Sequence, residues 1–586
     1  MTDFAQEEKE KAVVGEVSKE QLMEYTTRIA EDDRLSGSAG EARAVAYFKE
    51  VMTGLGFEVE IRQIENFISL PIEASATVTS PEQKEISCIT QSYSASTPPE
   101  GVEAELIFLS PGSDADVAGK IVMREGLAAP TPTRDMEVKG AVGQVWINST
   151  DLPRNMCIST IWGHPTPETA HRIPRTPTIS VGREAGEYLK TLCAGGAVKI
   201  RLHTVVESRF MEVPLATASV KGVVEPDKYV LFNGHIDSWH KGASDNGTAN
   251  ACMLEVARVI SKYRKELRRG IRFVWWSGHS HGRYSGSTWY VDHNWEDLYQ
   301  NAIVHLNVDS LGCQGATMYP DVESSAECYS LGKSVVETYA NQSPEYQRIG
   351  HSGDNSFWGI GIPTLFQLLS RQPRGSDGPD ALIPGLPWFW HTEADTIDKI
   401  DPEILFKDGR IYMAAVWRLC TVAVLPFDFE LTGEEMINLL KGLGKKAGNA
   451  FDLSQAVAAA ESFKGKAVLL KQKSAEMSRR ISDQASGAGQ EGLDAAAVSL
   501  DRCIMKLSRI LIPVSYSATD RFDMDPAESI PPFARLQPVG KLSAMDPESH
   551  GFKFLERKMV RERNRVCHAL IEAVGCIDQT LSALEP

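Results

Sequence analysis

Apolar positions near the N-terminus return at helical spacing. Ala44, Tyr47, Phe48 and Val51 share one face in "GEARAVAYFKEVMTGLG", and Gly54-Leu55-Gly56 stops the helix before the strand-like "FEVEI". Residues 17–61 therefore predict helix, loop, helix, strand. From about 70 to 205 the texture changes to short β-branched runs, "AELIFLS", "GKIVMRE" and "AVGQVWINS", set apart by Pro- and Gly-rich turns. A small β-rich domain inserted at 70–205 is the expectation.

From about 206 strands and helices alternate. "KYVLFNGHID" precedes a helix with Met253, Val256, Ala257 and Ile260 on one face. Then come the apolar run 271–276, a helix near 286–292, the strand-like "NAIVHLNVDSLG", a helix near 324–341 and "IPTLFQL". This order predicts an α/β domain, built from 1–69 and 206–425, in which helices sandwich a mainly parallel mixed sheet. Beyond 426 the strand signal ends, and 426–586 predicts a helical bundle, able to stand alone or to pack on a second copy.

A chain of 586 residues exceeds one hydrophobic core, in keeping with these divisions. No apolar run approaches the ~18 residues that span a bilayer. The opening "MTDFAQEEKEKAVV" lacks the basic-then-apolar order of a secretory signal, so no membrane partner and a cytoplasmic location are expected. Ten scattered cysteines without a CxxC pair read as reduced core thiols. A net charge of −17 argues against a nucleic-acid partner.

In open α/β sheets ligands bind beyond the carboxyl ends of the strands. Three runs end in polar residues there: Gly234-His235-Ile236-Asp237, Ser277-Gly278-His279-Ser280-His281 and Asn307-Val308-Asp309-Ser310. Asp245 lies in the turn after the first strand, and His391 follows Trp388-Phe389-Trp390. Taken singly, Asp245 reads as a helix N-cap, Asp309 as a strand cap, and each histidine as a core neighbour. Together, imidazoles and carboxylates at one crevice form the donor set preferred by zinc and other divalent transition metals.

The ordered set "GHIDSW", "GASDNGTA", "SGHSHG", "NVDSLG" and "WHTEADTID" resembles the zinc aminopeptidase and carboxypeptidase family that includes glutamate carboxypeptidase II and the transferrin receptor. The resemblance covers nearly the whole chain. It implies a protease-associated domain at the insertion, where "AGKIVMREG" and "IPRTPTISVGREAG" stand, and a homodimer through the C-terminal helices. It also implies two zinc ions sharing Asp245, with His235 and Asp309 completing one site and His391 on the other. Asp237 matches the acidic residue that orients the first histidine.

One landmark departs. Where the family has two adjacent glutamates, a general base and a metal ligand, this chain has His279-Ser280-His281. Counting from the strand, His279 replaces the base and Ser280 the ligand; counting back from Gly286-Ser287, Ser280 falls on the base and His281 on the ligand. Both registers stay open. Losing two carboxylates makes the pocket more positive, and a metal held by histidines with one carboxylate also suits iron. Secondary candidates are His240-Lys241, Asp354 (similar to a family position near the substrate), Trp388, Trp390 and the loop 371–387.

The expected function is metal-dependent hydrolysis of an amide or peptide-like C–N bond in a small molecule or short peptide, with one or two divalent ions and with His279 or His281 relaying protons. Two further classes remain at this level: the same scaffold turned to non-peptide hydrolysis, elimination or decarboxylation, and a non-catalytic binding or assembly protein.

Overall fold

The computed structural model describes residues 4–373, 385–483 and 490–585. Helix α1 (Phe4–Val14) precedes α2 (Lys19–Ile29), α3 (Ala39–Gly54) and the long strand β1 (Val59–Ser80). Ser18 and Ser38 cap α2 and α3 by accepting the amides of Gln21 and Glu41. On the expected α3 face Ala44 and Phe48 are buried, with Tyr47 and Val51 packed against the same core. Helix α1 was not expected, because its apolar residues are few and lie in a charged stretch.

The insertion contains β2 (Lys84–Ile86), β3 (Ile89–Thr90), β4 (Val102–Phe108), β5 (Ile121–Glu125), α4 (Pro130–Val138), β6 (Gly143–Ile147), β7 (Thr178–Val181) and α5 (Arg183–Gly195). Its own core joins Leu106, Ile121, Val145, Ile179 and Leu189. It is thus less purely β than its sequence texture suggested, since α4 and α5 flank the strands.

The chain returns through β8 (Val198–Val220), which runs antiparallel to β1 from Val59↔Ala218 to Ser80↔Lys199. The boundaries read at 69/70 and 205/206 therefore fall inside two continuous strands. A register shift between Pro71 and Glu73 marks the place, a bulge that bends the ribbon.

Next come β9 (Glu225–His235), α6 (Ala249–Ser261), β10 (Arg269–Trp276), α7 (Ser285–Asn301), β11 (Ala302–Asn307), β12 (Asp321–Ser324), α8 (Tyr329–Ala340), β13 (Glu345–Arg348) and α9 (Pro402–Thr421). The main sheet has the order β11-β9-β10-β8-β4-β5-β6-β7-β3. It is mixed rather than mainly parallel: β9 pairs in parallel with β10 and β11, but β8 is antiparallel to both β10 and β1. The reason is that β8 arrives from the ribbon and not through a helical crossover. Alternation along β10 places Phe273 and Trp275 in one core and Val274 and Trp276 in another, so both faces are covered and the run reads as continuously apolar.

Helices α10 (Phe429–Ala447), α11 (Ser454–Asp483), α12 (Gln490–Tyr516) and α13 (His550–Ala583) follow, with no strand after 426 among the described residues. They do not stand apart. Their apolar faces, including Met436, Phe463, Leu507 and Leu570, share one continuous core with Phe48, Phe232 and Tyr412. Arg269 on β10, fully buried, pairs with Asp501 on α12 and, at 2.8 Å, with Glu225 on β9. No described helix is long and apolar enough to cross a membrane. All ten cysteines are free and eight are buried.

Candidate metal centre

Strand β9 ends at His235, and parallel pairing sets Trp276 beside it, so the turn after β10 opens at the same crevice. Gly242 (φ +49°) makes the return toward Asp245 possible; a Cβ there would lie 2.1 Å from the Asp245 carbonyl oxygen. Gly278 (φ +81°) does the same for the "SGHSHG" turn, where a Cβ would meet Ser285 Oγ at 2.2 Å.

His235 Nε2 lies 3.1 Å from Asp245 Oδ1 and 3.8 Å from Asp309 Oδ2. The other Asp245 oxygen, Oδ2, faces His391 Nε2 at 3.0 Å, so one carboxylate links two imidazoles. The His279 ring stacks on that of His235 with centroids 3.7 Å apart. One ligand atom from each of His235, His279 and Asp309 falls within 4.8 Å of the others. His235 Nε2 and Asp245 Oδ1 are buried and make no hydrogen bond, the state of donors shaped to face a cation.

The support around these groups is specific. His235 Nδ1 donates to the Asp237 carbonyl (2.8 Å), which directs Nε2 at the cluster. The buried Asp237 carboxylate accepts the amides of His279 (3.2 Å) and Ser280 (2.9 Å) and the Ser36 hydroxyl (2.7 Å), pinning the turn. Asp354 Oδ2 lies 2.9 Å from His279 Nδ1, and Ser287 Oγ donates to Asp354 Oδ1 at 3.1 Å. His391 Nδ1 donates to the Asn155 carbonyl at 2.8 Å, and the Trp390 ring stacks on His391 at 3.5 Å.

The electrostatics follow from burial among like charges. Burial and the Asp245 charge push the Asp309 carboxyl up to about 6. Burial alone would raise Asp245, but the His235 and His391 imidazoles beside its two oxygens hold it well below the usual carboxylate range. Burial would lower His235; the Asp237 and Asp245 carboxylates beside it outweigh that and raise it well above the ordinary imidazole value. For His391 burial prevails over Asp245 and the shift is downward.

The structure thus gathers His235, Asp237, Asp245, His279, Asp309 and His391, and His281 reaches this group through Asp237, with Nδ1 3.7 Å from Oδ2. His281 is fully buried against Trp239, with Nδ1 3.1 Å from Ser36 Oγ, and lies outside the three-residue cluster. His240 is tied to Asn155 (2.9 Å), and Lys241 is exposed. Trp388 is 43% exposed, unlike a core residue. Of the loop 371–387, residues 374–384 lie outside the described residues.

Sequence reasoning missed three supports. Asp395 accepts the amides of Ser244 (2.9 Å) and Asp245 (3.1 Å) and is pushed up to about 7 by burial; it stood in the quoted "WHTEADTID" without a role. Buried Arg34 donates to the carbonyls of Ile236 (3.0 Å), Lys241 (2.6 Å) and Gly242 (3.0 Å) beneath the turn. Asn155 comes from the insertion. Neither of the last two carries a local sequence signal, because each acts through backbone atoms far away in the chain.

Residues 217–416, which carry the crevice at the ends of β9, β10 and β11, match the profile of Peptidase family M28. The family likeness read from the motifs is thereby shown over these residues. Among curated relatives, aminopeptidase YwaD of Bacillus subtilis is 25% identical over 66% of this chain and 80% of its own. The probable glutamate carboxypeptidase AMP1 of Arabidopsis thaliana is 20% identical over 70% of this chain and 68% of its own. Among solved structures, a peptidase M28 precursor from Shewanella amazonensis superposes with a TM-score of 0.58 at 19% identity, covering 72% of this chain and 98% of that one. The aminopeptidase from Aneurinibacillus sp. strain AM-1 gives a TM-score of 0.53 at 22% identity over 70% of this chain and 96% of that one. These superpositions establish the fold.

Proposed function

We propose that the protein is a metal-dependent hydrolase of an amide or peptide-like C–N bond, with an altered donor set. The observation that carries this reading is the convergence of His235, His279 and Asp309, with Asp245 linking His235 to His391. His235, His279 and Asp309 would hold a divalent ion, zinc before iron, and Asp245 and His391 offer donors for a second. When bound, such an ion polarises a carbonyl and lowers the pKa of water.

The chain's own residues set the rest. Asp237 and Asp354 fix the tautomers of His235 and His279, as carboxylates and carbonyls do behind metal-bound imidazoles. Asp354 at 2.9 Å from Nδ1 leaves the far side of the His279 ring for the cluster. This supports the strand-side register, in which His279 takes over the first glutamate's place, here as a ligand. His281 supports the turn through Ser36 and Asp237 and is not one of the three clustered donors.

The proposal extends to location and assembly: a cytoplasmic homodimer through the C-terminal helices, with a protease-associated domain at the insertion. Exposed Phe554 (73%) and Ile571 (61%) on α13 support a partner-covered surface, and a monomer mass by light scattering would reject it.

Protein purified without chelator is expected to contain stoichiometric metal and to cleave members of an aminoacyl and dipeptide panel, with chelation abolishing both. His279→Ala is expected to lower metal content and His281→Ala to preserve it. A second reading keeps the metal but assigns a non-peptide hydrolysis, elimination or decarboxylation; the missing glutamate pair favours it, and full metal with an uncleaved panel would select it. Metal near zero and no phenotype for Asp245→Ala would leave a binding or assembly protein.

A further inference from the structure

Within the C-terminal bundle two thiols meet. Cys503 on α12 and Cys576 on α13 stand 73 residues apart in the chain, and their sulfurs lie 3.6 Å from one another. Other thiols spend their hydrogen bonds on main-chain carbonyls: Cys193 on Leu106, Cys313 on Ser310 and Cys420 on Gly270. The meeting follows from helical spacing. Steps of three and four residues put Leu500, Cys503 and Leu507 on one face of α12, and Leu570, Ala573 and Cys576 on one face of α13, and the two helices pack with all six side chains in one core.

The surroundings favour reaction at one sulfur of the pair. Lys506, exposed, stands one turn beyond Cys503 on α12. Contact with Cys503 and the Lys506 charge hold the Cys576 thiol below its ordinary value, whereas the same contact and burial push Cys503 up. Cys88 and Cys193 are only half-buried, yet burial pushes both thiols up, Cys88 to about 12. Because the thiolate is the species that reacts, the pair has the advantage in charge state that the less buried cysteines have in access.

We propose that Cys503 and Cys576 are a reversible oxidation site, which hydrogen peroxide closes into a disulfide between α12 and α13. The Cys576 thiolate attacks the O–O bond and becomes a sulfenic acid, and the hydroxide released takes up the proton that Cys576 had shed. The Cys503 sulfur then displaces the sulfenic oxygen, which leaves as water with the Cys503 proton. Two thiols and one peroxide give one disulfide and two waters; the sulfurs lose two electrons and the peroxide gains them. The bond ties together helices with different anchors. Asp501, two residues before Cys503, meets Arg269 of β10 and accepts the Leu425 amide at 2.7 Å, while α13 packs on α11 and carries the exposed Phe554 and Ile571. A crosslink that closes so long a loop restricts the unfolded chain, so oxidation makes the protein harder to unfold. In a reducing compartment the bond is transient. None of this depends on the hydrolase reading, since both sulfurs lie in the helices after 426.

The test uses the reduced full-length protein and one equivalent of hydrogen peroxide. Free thiols, alkylated and counted under denaturing conditions, should fall from ten to eight, and the intact mass should drop by about 2 Da. Proteolysis without reductant should release one crosslinked peptide pair holding Cys503 and Cys576, which dithiothreitol separates. The urea midpoint should rise on oxidation and return on reduction. Cys503→Ala and Cys576→Ala should each lose the crosslink and the rise, whereas Cys88→Ala should keep both; should the first two variants fail to fold, the peptide map of the wild-type protein decides alone. Recovery of Cys503 and Cys576 as free thiols once the peroxide is consumed, a crosslink from either to another cysteine, or a sulfinic acid at Cys576 without a crosslink overturns the assignment. So does a midpoint rise that persists in Cys503→Ala.

Discussion

Two places in the molecule bury clustered carboxylates, and they resolve the problem differently. Under the C-terminal helices, Glu225 and Asp501 close on Arg269, whose guanidinium also donates to the carbonyls of Val422 (2.7 Å) and Ala423 (3.0 Å). At the ends of β9 and β11, Asp245 and Asp309 face imidazoles and no arginine, while the nearby Arg34 gives its hydrogen bonds to backbone carbonyls. An arginine built into the chain completes the first cluster. Histidines leave the second able to take its cation from outside, so the first is a staple and the second a receptor.

The largest contrast should come from Asp245→Asn, which removes one carboxylate oxygen from between His235 and His391. Bound metal should fall to background while the fold survives, as read by elemental analysis and circular dichroism; retained stoichiometric metal would erase the distinction between the clusters. Arg269→Ala should do the reverse, costing about 3–5 kcal/mol in denaturant unfolding because two buried acids lose their partner. The metal content of its folded fraction should be unchanged.

A smaller effect is expected for Asp237→Asn, which replaces an acceptor of two turn amides. Metal affinity should weaken about 10- to 100-fold in a competitive chelator titration. The smallest is a pH effect. The Asp309 carboxyl, pushed up to about 6 from 3.8, binds its proton in the native state across that window. The metal-free protein therefore loses stability as pH rises through it, whereas metal binding, which needs the carboxylate, gains. Parallel slopes of metal-free stability and metal affinity against pH would contradict the role given to Asp309.

These contrasts also separate what the chain declared from what it concealed. His235, Asp245 and Asp309 were visible because each follows an apolar run or opens a helix, positions that pattern alone can locate. The placement of His279 and His281 was not legible, since the period of a turn does not say which side chain faces in; Asp354 and Ser36, both distant in sequence, decide it. The helices after 426 were readable from their spacing, but their merger with the α/β core rests on contacts distant in sequence, such as Arg269 meeting Asp501 across 232 residues. The ribbon of β1 and β8 was divided in the sequence reading because a strand of 22 residues exceeds the usual length of about 5–6.

That ribbon has a mechanical meaning. An insertion carried on two unbroken strands is joined to the sheet as a single arm, and the bulge between Pro71 and Glu73 lies at its root. Two residues from the bulge, the Ser69 amide is tied to the His281 carbonyl at 2.7 Å, and farther into the insertion Asn155 is tied to His391. One insertion therefore holds both the turn that carries His279 and the loop that carries His391, so a substitution at either tether is felt on two sides of the crevice.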